Sequence, residues 1–264
     1  MTKFTKAHAC GNDFLIIEGP PDPALAIKLC ARNTGIGADG VEFFTWDGNR
    51  AGRIHLLNAD GSAAEISGNG TRCVAAWMAH RERLNAGDAV RIETDAGFRE
   101  CRLVKTDGRQ FEFAQGMGEP VLRDKSVMLA DGAKVKGVSV STGNPHFVIF
   151  TDDPEFTAYN RSWQELGSEV CFHLDFPEQT NVEFVRVIDT NSIEIRIFER
   201  GVGPTSSSGT GTCATAVASI ARRGLSPHLL VRAPGGEQRV DWSGEGAVIT
   251  LTGPAELIAD GEAW

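Results

Sequence analysis

Long apolar runs are missing from this 264-residue chain. The N-terminal stretch MTKFTKAHACGNDFLII holds only four consecutive apolar residues, Phe14 to Ile17, and nothing approaches the roughly 20 residues of a membrane span. A cytoplasmic location is expected. Basic charge is scarce as well: 26 Lys and Arg stand against 35 Asp and Glu, a formal net charge of -9. That balance argues against nucleic-acid and anionic-membrane partners, which need clustered Lys and Arg to neutralise phosphate. A small molecule is the expected partner. The six cysteines (Cys10, Cys30, Cys73, Cys101, Cys171 and Cys213) have no CxxC spacing, and the six histidines form no HxxxH pair. Neither a metal site nor a disulfide framework is expected, and most of the cysteines read as small buried hydrophobes. Charged residues make up 23% of the chain, an ordinary globular composition with room for two modest domains.

What is present is a repeat. Ser67-Gly-Asn-Gly-Thr71 returns 141 residues later as Ser208-Gly-Thr-Gly-Thr212, each followed by a small-residue apolar segment, RCVAAWMA and CATAVASIA. The same offset sets Gly40-Val-Glu-Phe43 on Asn181-Val-Glu-Phe184, and Asn58 on Glu199. A fourth match, Gly11-Asn12-Asp-Phe14-Leu-Ile-Ile17 with Gly143-Asn144-Pro-His-Phe147-Val-Ile-Phe150, begins at an offset of 132 and is aligned with one inserted residue. Each half then reads as a strand beside a Gly-Asn turn, a helix or strands, an apolar strand, a Gly-rich turn and a small-residue helix.

Strands are predicted at 147–150, 184–188 and 193–198, the last alternating apolar and charged residues. Shorter ones are predicted within 88–106 and 230–240. Pro23 to Asn33 is predicted as a surface helix ending before Gly35. Gly-Met-Gly-Glu-Pro between Gln115 and Val121 breaks the pattern, so the lobes are predicted as residues 1–117 and 118–264, the last residues free to pack back on the first lobe. Two such lobes facing each other would enclose a ligand cleft on a pseudo-two-fold axis.

Each Ser-Gly-x-Gly-Thr turn leads into an Ala-rich helix and so should present backbone N–H groups at a helix N-terminus, where anions bind. One such turn alone could be a plain serine N-cap with glycines that ease packing. A pair related by the repeat can instead grip one carboxylate and set a side chain on each face of the neighbouring α-carbon.

Asn58-Ala-Asp60-Gly61-Ser62-Ala-Ala-Glu-Ile-Ser67-Gly68-Asn69-Gly70-Thr71-Arg72 and Glu199-Arg200-Gly-Val-Gly203-Pro-Thr205-Ser-Ser-Ser208-Gly209-Thr210-Gly211 resemble the two signatures of the diaminopimelate epimerase family, with serine at 67 and 208 where the family has cysteine. Gly11 to Phe14, Gly143-Asn144-Pro145-His146 and Thr180-Asn181-Val-Glu-Phe184 also resemble family elements, so the likeness spans nearly the whole chain; Ala9 and Pro204 depart from the family's usual glycine and glutamate. The resemblance implies an α+β fold of two pseudo-symmetric lobes, each a mixed β-sheet or barrel wrapped around a central helix. It also implies a cofactor-independent isomerase converting LL- to meso-diaminopimelate by two-base proton transfer, on the route to lysine and peptidoglycan, and a homodimer. By the same resemblance, the backbone at Gly68, Asn69, Gly209 and Thr210 would hold the α-carboxylate. Asn12, Asn58, Asn144, Asn181, Glu199 and Arg200 would hold the amino group and distal end, Arg200 clamping the distal carboxylate. Residues 67 and 208 would exchange the protons, assisted by His146 and Glu199.

The serines set the difficulty. A thiol titrates near about 8.5, lower at a helix N-terminus, whereas an alcohol lies near water at roughly 15.7. The gap corresponds to about 10 kcal/mol for forming the anionic base, and helix-end stabilisation of up to about 2 kcal/mol does not close it. Cys73 and Cys213 follow the two serines at unequal distances of six and five residues, and both read as packing residues within their helices. Three readings stand open: an epimerase whose thiols have been exchanged for near-isosteric hydroxyls and whose activity is severely impaired; a divergent amino-acid isomerase or dehydratase using Glu199, His146 or Asp60 as base, as in the related phenazine-biosynthesis isomerases; and a catalytically dead amino-acid-binding protein.

Overall fold

A computed structural model describes residues 1–64, 67–95 and 97–264, and resolves them into two compact units, 1–116 with 252–264 and 117–251. In the first unit, β1 (Thr2–Ala9) runs antiparallel to β2 (Asn12–Glu18), and the chain crosses through α1 (Pro23–Cys30) to β3 (Gly40–Trp46), parallel to β2. β4 (Ala51–Asn58) returns antiparallel to β3 and pairs with the two-residue β5 (Ala63–Ala64). A second crossover, through α2 (Gly68–Glu82), leads to β6 (Ala89–Thr94), parallel to β4. β7 (Gly97–Asp107) and β8 (Gln110–Gly116) follow as antiparallel neighbours.

The chain's last strand, which we label β17 (Thr250–Ala263), pairs with both β8 and β1 and so closes an eight-stranded barrel within this unit. The barrel is filled by α2, whose residues 69–79 are all buried. Burial of both faces explains why the apolar residues of β2 and β3 follow one another instead of alternating with polar ones. Phe14, Ile16 and Phe44 face inward to α2, while Leu15, Ile17, Val41 and Phe43 face outward and are covered by Ala26, Leu29 and Cys30 of α1.

The second unit repeats this plan. β9 (Val121–Met128), β10 (Lys134–Ser141) and β11 (Pro145–Phe150) are antiparallel neighbours, and α3 (Trp163–Cys171) carries the chain to β12 (Asn181–Asp189), parallel to β11. β13 (Ser192–Glu199) and the short β14 (Gly203–Thr205) precede α4 (Gly209–Arg223). β15 (His228–Ala233) then lies parallel to β13 and antiparallel to β16 (Gly236–Asp241). α4 is again central: Cys213, Ala214, Ala216, Val217 and Ala218 meet inward-facing Val148, Val185, Ile193, Ile195 and Ile197.

Strand registers show that the repeat is structural. Glu42 pairs with Leu56 and Glu183 with Ile197; Ile16 pairs with Glu42 and Val148 with Glu183. The 141-residue offset therefore holds through β3/β12, β4/β13 and both central helices. The register also corrects the inserted residue of the fourth match. Phe14 opposes Gly40 as His146 opposes Asn181, so β2 and β11 correspond without a gap and His146 occupies the place of Phe14.

Helix α1 is shorter than Pro23 to Asn33. Asp22 caps it by accepting from Leu25 N–H, as expected for a proline at the start, but Ile36 N–H and Gly37 N–H both turn back onto the Leu29 carbonyl and end the helix at Cys30. The predicted strands at 147–150, 184–188 and 193–198 lie within β11, β12 and β13, and those in 88–106 and 230–240 within β6, β7, β15 and β16; Ala96 falls outside the described residues. Among the described residues no helix is long and apolar enough to cross a membrane.

Candidate functional site

Both Gly-rich turns open a 15-residue helix, and both serines cap it. Ser67 Oγ accepts from Gly70 N–H at 3.1 Å, and Ser208 Oγ accepts from Gly211 N–H at 3.3 Å. Each serine has extended backbone and the next residue begins the helix, so Gly68, Asn69, Gly209 and Thr210 supply its first-turn N–H groups, which have no acceptor within the helix. The cap and the expected anion-binding mouth thus share the same residues. Of the first signature, Glu65 and Ile66 lie outside the described residues.

In the second unit the expected residues fall into two hydrogen-bonded groups, one around His146 and one around Asn181. His146 and Glu183, both fully buried and facing inward from adjacent strands, lie 2.6 Å apart through Nδ1 and Oε1. His146 Nε2 lies 3.0 Å from Asn144 Oδ1, Asn144 Nδ2 donates to Thr210 Oγ1 at 3.3 Å, and Thr210 Oγ1 lies 3.5 Å from Ser208 Oγ. Asn181 donates to the Pro145 carbonyl and accepts from Arg200 N–H at 2.9 Å; Arg200 Nη1 donates to the Glu178 carbonyl at 2.9 Å. Burial raises the Glu199 carboxyl above its ordinary value, and the nearby Glu183 adds to the shift.

The first unit differs in chemistry while sharing geometry. Asn69 Nδ2 donates to Asn12 Oδ1 at 3.3 Å, and Asn12 Nδ2 donates to Asp39 Oδ2 at 2.6 Å. Asn58 forms no bond with either asparagine; it donates to Ser62 Oγ at 3.0 Å, in a turn whose Ala59 N–H reaches the Asp39 carbonyl. Asp39 is therefore the residue that ties Asn12 to the Asn58 turn, and also accepts from Arg32 at 2.7 Å. Asp60, one of the alternative bases, is exposed, and its bonds from Ser62 lower its carboxyl pKa, which weakens it as a base.

Besides Glu183 and Asp39, two further residues are given no role by the sequence. Arg72, in the place of Cys213, is fully buried and holds Asn69 Oδ1 at 2.5 Å. Glu42, in the place of Glu183, is fully buried with neither carboxylate oxygen hydrogen-bonded among the described residues. The available signal was a Glu inside an apolar strand at the same place in both halves. Cys73 lies in the core against α2's neighbours and burial pushes its thiol well up, the opposite of what a proton-exchanging thiol needs; Cys213 is likewise in the core. Among the described residues no group of three His, Cys, Asp or Glu side chains is gathered as a metal ion would require.

This fold is shared by solved structures of low sequence similarity. They include a probable proline racemase from Agrobacterium radiobacter K84 with bound carbonate (TM-score 0.75, 16% identity, 100% of this chain and 93% of that one) and a predicted epimerase from Pseudomonas aeruginosa (TM-score 0.73, 15% identity, 100% and 99%). The likeness to those structures is one of fold. Sequence comparison narrows the assignment. The family model described as diaminopimelate epimerase matches residues 4–122 and 138–258. The diaminopimelate epimerase of Pelotomaculum thermopropionicum is 35% identical and that of Desulforudis audaxviator 36% identical, each alignment covering 98% of both chains. The chain belongs to the diaminopimelate epimerase family, a family of amino-acid isomerases.

Proposed function

We propose that the protein binds diaminopimelate with its α-carboxylate on the N–H groups of Gly68, Asn69, Gly209 and Thr210, so that Ser67 and Ser208 stand on opposite faces of the α-carbon. Asn12, Asn58, Asn144, Asn181 and Glu199 hold the amino group and the carbon chain, and Arg200 takes the distal carboxylate. His146 and Glu199 assist the two proton-transfer groups. With hydroxyls at 67 and 208 the chain is a severely impaired epimerase that retains its substrate site. The observation that carries this reading is the doubled mouth: two helices of equal length, each opened by a serine, two glycines and a threonine, in a chain that belongs to this family.

Calorimetric titration tests it with LL-diaminopimelate, meso-diaminopimelate and lysine, which lacks the distal carboxylate. A charge-assisted pair with Arg200 is worth about 1.5–3 kcal/mol. Both diaminopimelates should therefore bind roughly 10- to 150-fold more tightly than lysine, and Arg200→Ala should erase the difference while leaving lysine unchanged. Equal binding of lysine and diaminopimelate, or no diaminopimelate binding at all, contradicts the assignment.

A further inference from the structure

The buried carboxyl of Glu42 has no role in the site as described, yet its placement is specific. It projects inward from β3, in a strand whose neighbours Val41, Phe43 and Phe44 are all buried and apolar. Its Oε1 sits in the notch left by Gly70: a Cβ on Gly70 would lie 1.9 Å from that oxygen and 3.3 Å from Ser67 Cβ. Glu42 and Ser67 therefore close on the same residue of the α2 mouth from two sides. A buried, unbonded polar group costs about 1–3 kcal/mol, and a leucine would fill a core position without that cost.

The second unit shows what such a carboxyl does when it has a partner. Glu183 Oε1 approaches the corresponding Gly211, 2.9 Å from its Cβ position, with Ser208 Oγ at 3.4 Å from the same point. There the imidazole of His146 engages the carboxylate. In the first unit Phe14 occupies the place of that histidine, and no described side chain shares the proton of Glu42.

We propose that Glu42 is the proton acceptor behind Ser67: the Ser67 oxygen takes the α-proton of the bound amino acid while the Ser67 hydroxyl proton passes to the Glu42 carboxylate. The Cα–H bond breaks with its electron pair left on the α-carbon. Ser67 ends neutral with one proton gained and one lost, and the negative charge moves from Glu42 to the carbanion. In the reverse direction Glu42 returns the proton through Ser67. This step rests on the proposed placement of Ser67 against the α-carbon. Burial, aided by the charge of Asp95, pushes Glu42 up to about 8, close to where a thiol titrates. The relay thereby supplies part of the base strength that a lone alcohol lacks.

The test follows α-deuteration of LL- and meso-diaminopimelate in deuterated water, with substrate binding titrated in parallel. In the chain as it stands, slow exchange is expected, and Glu42→Gln should lower it at least 30-fold with affinity changed less than twofold. In a Ser67→Cys/Ser208→Cys background, where the thiolate is itself the base, the same Glu42→Gln change should alter exchange less than threefold. An equal loss in both backgrounds marks a purely structural role and overturns the relay. Unchanged exchange in the serine background overturns it too, as does a serine chain that binds diaminopimelate and exchanges nothing while the dithiol form exchanges. Failure of both forms to bind diaminopimelate removes the proposed function and the relay together, and the titration distinguishes that outcome. If Glu42→Gln does not fold, Glu42→Asp and Gly70→Ala each withdraw the carboxylate from the notch and should show the same selective loss.

Discussion

Changing Ser67 and Ser208 together to cysteine is expected to raise α-proton exchange on diaminopimelate by at least a thousandfold. A lone alcohol falls roughly 7 pKa units short of a thiol as a base, about 10 kcal/mol. The proposed Glu42 relay recovers part of that deficit on one side. A cysteine at either cap position would sit where first-turn N–H groups favour the thiolate, so the substitution restores base strength without moving the backbone. Single replacements should separate the two faces. With one thiol, the stereoisomer whose α-proton faces it should exchange deuterium with retention, and inversion should stay slow until the second thiol is added. Proton NMR in deuterated water reads both rates. Equal exchange by the serine and dithiol forms would show that the alcohols are not limiting.

Stability should fall steeply between pH 4.5 and 8 and should do so much less in Glu42→Gln. The Glu42 carboxyl titrates at about 8 in the fold, against an ordinary 4.5, because it is buried and because Asp95 lies near. Across that window the folded chain keeps a proton that the unfolded chain releases. The resulting stabilisation is complete below pH 4.5 and is lost as pH rises through 8, about 1.4 kcal/mol per pH unit and on the order of 5 kcal/mol in all. Glutamine of the same shape carries no such proton. Glu199 is shifted in the same direction and keeps its own slope in both proteins, so the difference between them belongs to Glu42. Urea unfolding at pH 5 and pH 8 measures it, and parallel slopes for the two proteins would contradict a buried neutral Glu42.

Much of this architecture was legible because it is local and doubled. The Ser-Gly-x-Gly-Thr turns are short motifs whose capping and helix-opening geometry follow from a few residues, and the 141-residue offset of β3, β4 and α2 onto β12, β13 and α4 survives in the strand registers. Local patterns did not show how the barrel closes, although the family resemblance implied a sheet or barrel around a central helix and the last residues were expected to be free to pack back on the first lobe. Closure depends on β17 finding β1 and β8 across nearly the whole chain, and no local pattern encodes that pairing. The correspondence of Phe14 with His146 was not legible either, since Phe14 can be aligned with either His146 or Phe147 and only cross-strand register decides between them. Glu42 was in plain view inside the repeat, but its meaning depends on a notch at Gly70 that exists only once the helix lies inside the barrel. Asp39 escaped for a similar reason: its side chain and carbonyl join Asn12, at the start of β2, and Ala59, just after β4.

A crystal structure of the serine chain with meso-diaminopimelate bound is the most direct test of the claim that the two serine-capped helices act on one ligand. The α-carboxylate should lie about 3 Å from N–H groups of both 68–69 and 209–210, with the Ser67 and Ser208 oxygens on opposite sides of the α-carbon at roughly 3–3.5 Å. A carboxylate held at a single helix end, or both hydroxyls on one side of the α-carbon, would contradict it.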